Sequence, residues 1–308
     1  MVSCFLASPA GVRAAQLVSD QFNYTLNANA GGQNGGSGFA GAWGYSSQVS
    51  GSISSSKIVA GLSFSDLPVS GNAVRLSVIS SSSSGFGDTV YLKRAPSAVP
   101  GAGDEFWYRF LFRMDQNISA NSFYAGMDID DAETFGGYRK FGSYGLSGAG
   151  SGRGGVGVDT GITSGAVGSP SLSDTGTYLM IAKFTGINQA AGVARTGTWW
   201  ALSTADYDAI KAGGVTEGEL NATHRQMATE TVLPTMLQPL NFTTADRYEL
   251  RGYRPPISNA FQNYDFDEIF SGTSLTDLNL PQVPEPSVSA IITLASVFLV
   301  RRLRRDRR

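Results

Sequence analysis

The chain has 308 residues, 38 of them glycine, with 11% aromatic and only 16% charged residues and a formal net charge of −2. Enough aromatic side chain is present to fill a core, which excludes disorder throughout, and the glycine-rich, charge-poor balance points to an all-β protein with long loops. Removing residues 284–308 leaves 17 basic against 23 acidic residues, a balance of −6, and excludes a nucleic-acid role, which needs a clustered basic face.

The N-terminus, MVSCFLASPAGVRAAQLVSD, has a short apolar stretch followed by Val12-Arg13-Ala14, a small-residue cleavage pattern without the basic start of a full signal peptide. Residues 1–15 are expected to be a truncated signal peptide. Cys4, the only cysteine, falls inside it, so the mature protein has no thiol for a disulfide or a thiolate metal site.

Period-two alternation then predicts strands over 72–80 (NAVRLSVIS), 89–95 (TVYLKRA) and 105–115 (EFWYRFLFRMD). In the last of these Phe106, Tyr108, Phe110, Phe112 and Met114 share an apolar face. Glu105, Trp107, Arg109, Leu111 and Arg113 share a mixed one, as in a sandwich sheet. MDIDDAE (127–133) reads most simply as part of a hairpin, with strand FYAGMDI, turn DDAE and strand TFGGYRKFG. Its Asp128, Asp130 and Glu133 also form a D-x-D-x-x-E spacing. GLSGAGSGRGGVGVDTG is read as a loop; it lacks the G-K-[ST] ending of a phosphate loop.

Further strands are predicted over 178–185 (YLMIAKFT) and 197–203 (GTWWALS). Trp199 and Trp200 are adjacent, so one faces in and one out. The outward ring is a candidate for stacking on a sugar, against the plainer reading of core packing assigned also to Trp43 and Trp107. TADYDAIKAGG (204–214) predicts a short helical excursion with Thr204 as N-cap and a Gly-Gly stop, and TEGELNATHRQM a second helical turn. His224, the only histidine, is placed in a solvated loop or helix end, and a histidine-based triad or a multi-histidine metal site would depend on that one residue. RYELRGYR (247–254) and YDFDEIFSG (264–272) complete the strands. Asp265, Asp267 and Glu268 in the last one are candidate calcium ligands, against a plainer reading as solvated acids on an edge strand.

With ten or more strands and no fixed repeat or linker, residues 18–280 are expected to form a two-sheet antiparallel jelly-roll sandwich. The opening FNYTLNANAGGQNGGSGFAGAW and the closing FDEIFSGTSLTDL resemble the first and last strands of concanavalin A-like lectin/glucanase domains. The resemblance implies that these two strands lie side by side. It also frames the D-x-D-x-x-E spacing, because laminarinase-like glucanases of that fold carry E-x-D-x-x-E, with the first acid as nucleophile and the last as general acid. Asp128 would be one methylene short in the nucleophile position, where retaining chemistry needs carboxyls about 5–5.5 Å apart.

The chain closes on VPEPSVSAIITLASVFLVRRLRRDRR. Val288–Val300 is a run of 13 apolar or small residues, which as a helix spans roughly 20 Å of a hydrocarbon core about 30 Å thick. Arg301, Arg302, Arg304 and Arg305 begin a basic cluster that would stay on the cytoplasmic side. Pro284-Glu285-Pro286, a transmembrane helix over 287–300 and terminal arginines, in that order, resemble the PEP-CTERM sorting signal of Gram-negative bacteria. That resemblance implies recognition and cutting by an integral-membrane exosortase, with transient anchoring in the inner membrane.

The resulting expectation is an exported cell-surface or extracellular-matrix protein, noncatalytic and glycan-associated, with exopolysaccharide as a partner and no cofactor. The alternatives are a glycan hydrolase using Asp128, Asp130 and Glu133, and a calcium-dependent lectin.

Overall fold

In the computed structural model the described residues are 15–48, 55–79, 88–114, 124–130, 139–147, 153–158, 172, 176–190, 192–232, 242–254 and 261–282. They form a two-sheet antiparallel β-sandwich. The strands are β1 (Gln16–Asp20), β2 (Gly44–Gln48), β3 (Ser55–Ala60), β4 (Asn72–Ile79), β5 (Asp88–Arg94), β6 (Phe106–Met114) and β7 (Tyr124–Asp130). They continue with β8 (Arg139–Ser147), β9 (Arg153–Val158), β10 (Thr177–Thr185), β11 (Arg195–Leu202), β12 (Gln226–Val232), β13 (Arg247–Arg254) and β14 (Phe261–Gly272). The eight-stranded sheet runs β12-β11-β10-β6-β14-β4-β3, with β1 added on β14, and the six-stranded sheet runs β2-β5-β13-β7-β8-β9.

The alternation of β6 explains the layering. Phe106, Tyr108, Phe110, Phe112 and Met114 all fall in the core between the sheets, against Leu92, Met127, Ile129, Tyr248 and Leu250 of the facing sheet. The other face of β6 is mixed, as its sequence suggests, but apart from Arg113 its residues are buried. Trp107 and Leu111 lie in a second apolar cluster on the outside of the eight-stranded sheet, with Leu179, Ile181, Trp200 and Leu202. Two short helices, α1 (Thr204–Ile210) and α2 (Glu217–Ala222), bring Tyr207, Ile210 and Leu220 onto that cluster. Burying a side chain of this size is worth about 1.5–3 kcal/mol, so the excursion is an added layer.

The N-cap of α1 is Ser203, one residue before the expected Thr204. Its side chain accepts from the Asp206 N–H and Asp206 reaches back to the Ser203 N–H, a reciprocal cap that Thr204 has no partner to form. α2 starts from Thr216. His224 follows α2, with Nδ1 2.9 Å from the Leu220 carbonyl oxygen.

Two strand assignments differ from the sequence reading. β9 lies inside the glycine-rich stretch read as a loop, paired with β8 from Phe141↔Val158 to Tyr144↔Gly155. β1 lies just before FNYTLNANAGGQNGGSGFAGAW, which folds back over it: a Cβ at Gly38 (φ 77°) would stand 1.8 Å from the Leu17 carbonyl oxygen. β1 and β14 lie side by side, from Gln16↔Gly272 to Asp20↔Ile269.

β14 is a central strand between β6 and β4, which corrects its expected place at an edge. It carries a β-bulge: Asp267 faces Leu111 and Phe270 faces Arg109, so one extra residue is inserted, and Glu268 takes φ 53°. No helix among the described residues is long and apolar enough to cross a membrane. The expected signal peptide up to Ala14 and the whole of residues 283–308, including Pro284, Glu285, Pro286 and the arginine cluster, lie outside the described residues.

Candidate functional site

The strongest concentration of chemistry lies on the outer face of the six-stranded sheet. Residues directly opposite each other in antiparallel strands share a face. Two cross-strand rows therefore stand opposite to the core-facing row Leu92–Leu250–Met127. The first runs Lys93–Glu249–Asp128–Gly142–Gly157, and the second Ser46–Tyr91–Arg251–Gly126–Tyr144–Gly155. Charged and phenolic side chains fill β5 and β13, and the first row passes to glycine on β8 and β9.

The charges are held deeply. Asp128 and Glu249 are 0% and 1% exposed, Tyr91 5% and Arg251 9%. Lys93 Nζ lies 2.6 Å from Glu249 Oε2, a tight ion pair. Arg251 is placed differently: its Nη1 lies 3.9 Å from Asp128 Oδ2 and 4.0 Å from Glu249 Oε1, between the two carboxylates and at hydrogen-bond distance from neither. Its Nη2 donates to the Tyr91 hydroxyl at 3.2 Å. The Tyr91 ring receives both cations, with Lys93 Nζ and Arg251 Cζ each 5.0 Å from its centroid. Two carboxylates that accept from hydroxyls, a guanidinium that donates in a fork and a phenol beside it are the groups that hold a sugar.

Of the residues singled out in the sequence, only Asp128 is placed in this cluster. Asp130 is the last residue of β7, opposite Arg247 on β13 and Arg139 on β8, and not in the turn expected for it. Glu133 lies outside the described residues. Trp199 and Trp200 are both 0% exposed. Trp199 lies in the inner core, and Trp200 stacks on Trp107 with centroids 5.9 Å apart and planes at 7°, its Nε1 donating to Asn221 Oδ1. Neither ring is presented to a sugar.

The acids of β14 are not solvated either. Asp265 receives Arg75 and Arg113. Asp267 accepts from the Leu62 N–H at 2.9 Å and the Glu268 N–H at 2.8 Å. Glu268 accepts from Ser70 N and Gln21 Nε2 and pairs with the fully buried Arg109 at 3.4 Å. Burial pushes the Asp267 carboxyl up to about 8, opposed by the Leu62 N–H and reinforced by the Glu268 charge. Among the described residues no group of three or more His, Cys, Asp or Glu is placed to hold a metal ion.

Tyr91, Lys93, Glu249 and Arg251 escaped the sequence reading. The alternation in TVYLKRA and RYELRGYR does put Tyr91 with Lys93, and Glu249 with Arg251, on one side of each strand. The signal missing from the sequence is that these two strands, some 150 residues apart, are neighbours.

No protein-family model matches the chain, and no curated protein matches it. Solved structures similar to it include an endo-β-1,4-glucuronan lyase from the fungus Trichoderma reesei, at 12% identity over 81% of this chain and 96% of that one, TM-score 0.45. A carbohydrate esterase from a Shiga toxin-encoding bacteriophage matches at 13% identity over 85% and 99%, TM-score 0.44. Lectin II from Ulex europaeus matches at 9% over 74% and 91%, TM-score 0.38. The expectation of a noncatalytic protein is corrected by this comparison, because a lyase and an esterase stand among the similar structures beside the lectin. At these identities and TM-scores no activity passes from them to this chain, and the sandwich assignment rests on its own strand pairing.

Proposed function

We propose that the protein is a glycan-active β-sandwich of the concanavalin A-like type, with the outer face of its six-stranded sheet as the working surface. One observation carries the reading: two carboxylates, Asp128 and Glu249, are buried together with the Arg251 guanidinium on the outer face of the sheet, Arg251 Nη1 lying 3.9 and 4.0 Å from them. Packing alone does not favour charge on a sheet face, since an ion pair in such a place costs desolvation unless its geometry is tight. A saccharide hydroxyl entering between these groups would accept from Arg251 and donate to Glu249 or Asp128, and a uronate carboxylate would accept from Arg251. In the row of Glu249 and Asp128, Gly142 and Gly157 leave backbone, not side chains, beyond the carboxylates.

The test is a panel of neutral and uronate-containing polysaccharides, followed by binding, by release of reducing ends and by absorbance of unsaturated products, with and without EDTA. Arg251→Ala and Glu249→Gln are compared with the unsubstituted protein at matched thermal stability. The reading holds if at least one glycan is bound or converted and both variants lose most of that signal. It fails if no glycan in the panel is bound or converted, or if the variants match the parent. Loss of binding in EDTA would transfer the reading to a calcium-dependent lectin.

The order of Pro284-Glu285-Pro286, apolar run and arginine cluster supports export to the cell surface or matrix, with exosortase processing as the sorting step. In a host with and without an exosortase, mass spectrometry of the exported protein should show a new C-terminus near residues 284–286 only when the enzyme is present. An intact chain in both hosts would end this part of the proposal.

A further inference from the structure

The loop that follows β1 carries the only Asn-Gly dipeptide of the chain, Asn34-Gly35. Asn34 is exposed, but its carboxamide is clamped. Arg94 Nη2 donates to Asn34 Oδ1 at 2.7 Å, while Nη1 of the same guanidinium donates to the Gly35 carbonyl oxygen at 2.7 Å and to Asp20 Oδ2 at 3.0 Å. The guanidinium is itself fixed: Arg94 is 2% exposed, and its Nε donates to the Gly41 carbonyl oxygen. Gly35 is held from the other side. Its N–H donates to Tyr24 Oη at 3.0 Å, and the Tyr24 hydroxyl donates to Asp20 Oδ2 at 2.8 Å. A Cβ at Gly35 would stand 2.7 Å from Tyr24 Cε1, so the ring leaves room for glycine alone. None of these groups belongs to the two rows of the proposed glycan site.

We infer that Asn34 is a self-modification site, where the carboxamide converts to a carboxylate that Arg94 holds. The Gly35 nitrogen attacks Asn34 Cγ to form a succinimide, and the Cγ–Nδ2 bond breaks to release ammonia. The Gly35 proton passes to Tyr24 Oη while the Tyr24 proton moves to Asp20, and the relay hands one proton back to the departing nitrogen. Water then opens the ring at either carbonyl, leaving an aspartyl or an isoaspartyl carboxylate. A glycine presents no side chain to the attack. The reacting carbonyl already receives a buried guanidinium, which stabilises the negative charge that gathers on Oδ1 as the new bond forms. The attacking nitrogen has a proton acceptor in place, and both reacting groups are held together by Arg94 and Tyr24 instead of being gathered from a mobile loop. The product is favoured by the same clamp. A carboxylate at position 34 turns a neutral hydrogen bond into a second ion pair on Arg94, beside the one with Asp20.

The test incubates the full-length protein at neutral pH, folded and unfolded in guanidinium chloride, with peptide mapping by mass spectrometry in ordinary and oxygen-labelled water. The expected result is conversion of the peptide that carries Asn34, with uptake of a solvent oxygen, about tenfold faster in the folded protein than in the unfolded chain. Arg94→Lys keeps a charge for Asp20 but not the fork, and should bring the folded rate down towards the unfolded one. If that variant fails to fold, Tyr24→Phe removes the proton acceptor of Gly35 and is read in the same way. Asn34→Asp, which starts with the product charge, should melt at or above the temperature of the parent. Conversion no faster in the folded protein than in the unfolded chain overturns the inference, and so does an unchanged rate in either variant that folds. A lower melting midpoint for Asn34→Asp overturns the second ion pair on Arg94. These readouts involve no glycan, so failure of the glycan-active reading leaves them untouched.

Discussion

Asp267 has both carboxylate oxygens on backbone donors, beside Glu268 and the buried Arg109. Its folded-state value of about 8 lies above the ordinary 3.8, so between those values the folded chain holds a proton that the unfolded chain has released. The stabilisation is therefore complete below about pH 4 and is lost as pH rises through 8. Thermal melting across pH 5–9 should show a falling midpoint, and the slope should flatten in Asp267→Asn even if that variant melts lower throughout. An identical slope in both proteins would exclude Asp267 as the titrating group. A second buried charge behaves differently. Asp20 accepts from Phe22 N, the Tyr24 hydroxyl and Trp43 Nε1, and pairs with Arg94 Nη1 at 3.0 Å. Arg94 also donates to the Gly35 carbonyl oxygen and Asn34 Oδ1. Asp20→Ala strands a guanidinium whose side chain is only 3% exposed, and should cost about 3–5 kcal/mol in chemical denaturation. A loss below about 1 kcal/mol would mean that the N-terminal loop is held by other contacts.

At the scale of the element, β13 shows how the two sheets meet. A Cβ at Gly252 would stand 2.6 Å from Tyr264 Cδ2, and the Tyr264 hydroxyl donates to the Tyr253 carbonyl oxygen at 2.7 Å. Gly252→Ala forces the ring or the strand to move and should destabilise by about 1–3 kcal/mol, read as a lower denaturation midpoint at unchanged slope. Tyr264→Leu in the same background should recover part of that loss, since the clash is with the ring. The strands themselves were legible, because their alternation is a local property: all seven segments read as strands in 72–80, 89–95, 105–115, 178–185, 197–203, 247–254 and 264–272 fall on β4, β5, β6, β10, β11, β13 and β14. What hid β9 was composition, since RGGVGV has almost no side chains to alternate. The burial of Trp200 was hidden for a different reason: helices α1 and α2 cover an outer sheet face that alternation alone assigns to solvent. Only Asp128 of the candidate site was in view, because Glu249, Arg251, Tyr91 and Lys93 become one cluster through β5–β13–β7 pairing, which no window of sequence contains.

For the whole molecule the decisive feature is how late the central strand arrives. β14 lies between β6 and β4 and also supports β1, so three ladders of the eight-stranded sheet wait for residues 261–272. Such long-range pairing places folding in the slow range of milliseconds to seconds or beyond. A chain ending at Arg254 should therefore show no cooperative transition by calorimetry, although most of its strands are present. A sharp transition near that of the full chain would show that the six-stranded sheet and the outer layer stand without β14.

The residues just after β14 close the structure in a way that bears on force. Leu278 is buried and its carbonyl oxygen accepts from Arg109 Nε, Leu280 is 5% exposed in the outer apolar cluster, and the Pro281 carbonyl oxygen accepts from Val215 N at 2.8 Å. The chain thus leaves the sandwich as a strap fastened across its outer layer. Tension applied through whatever follows Gln282 is delivered first to that strap, to Arg109 beneath it and to the start of α2. A tether at this end would pull against buried contacts before it reached the ladder of β14, so load would reach the central sheet only after the strap had given way.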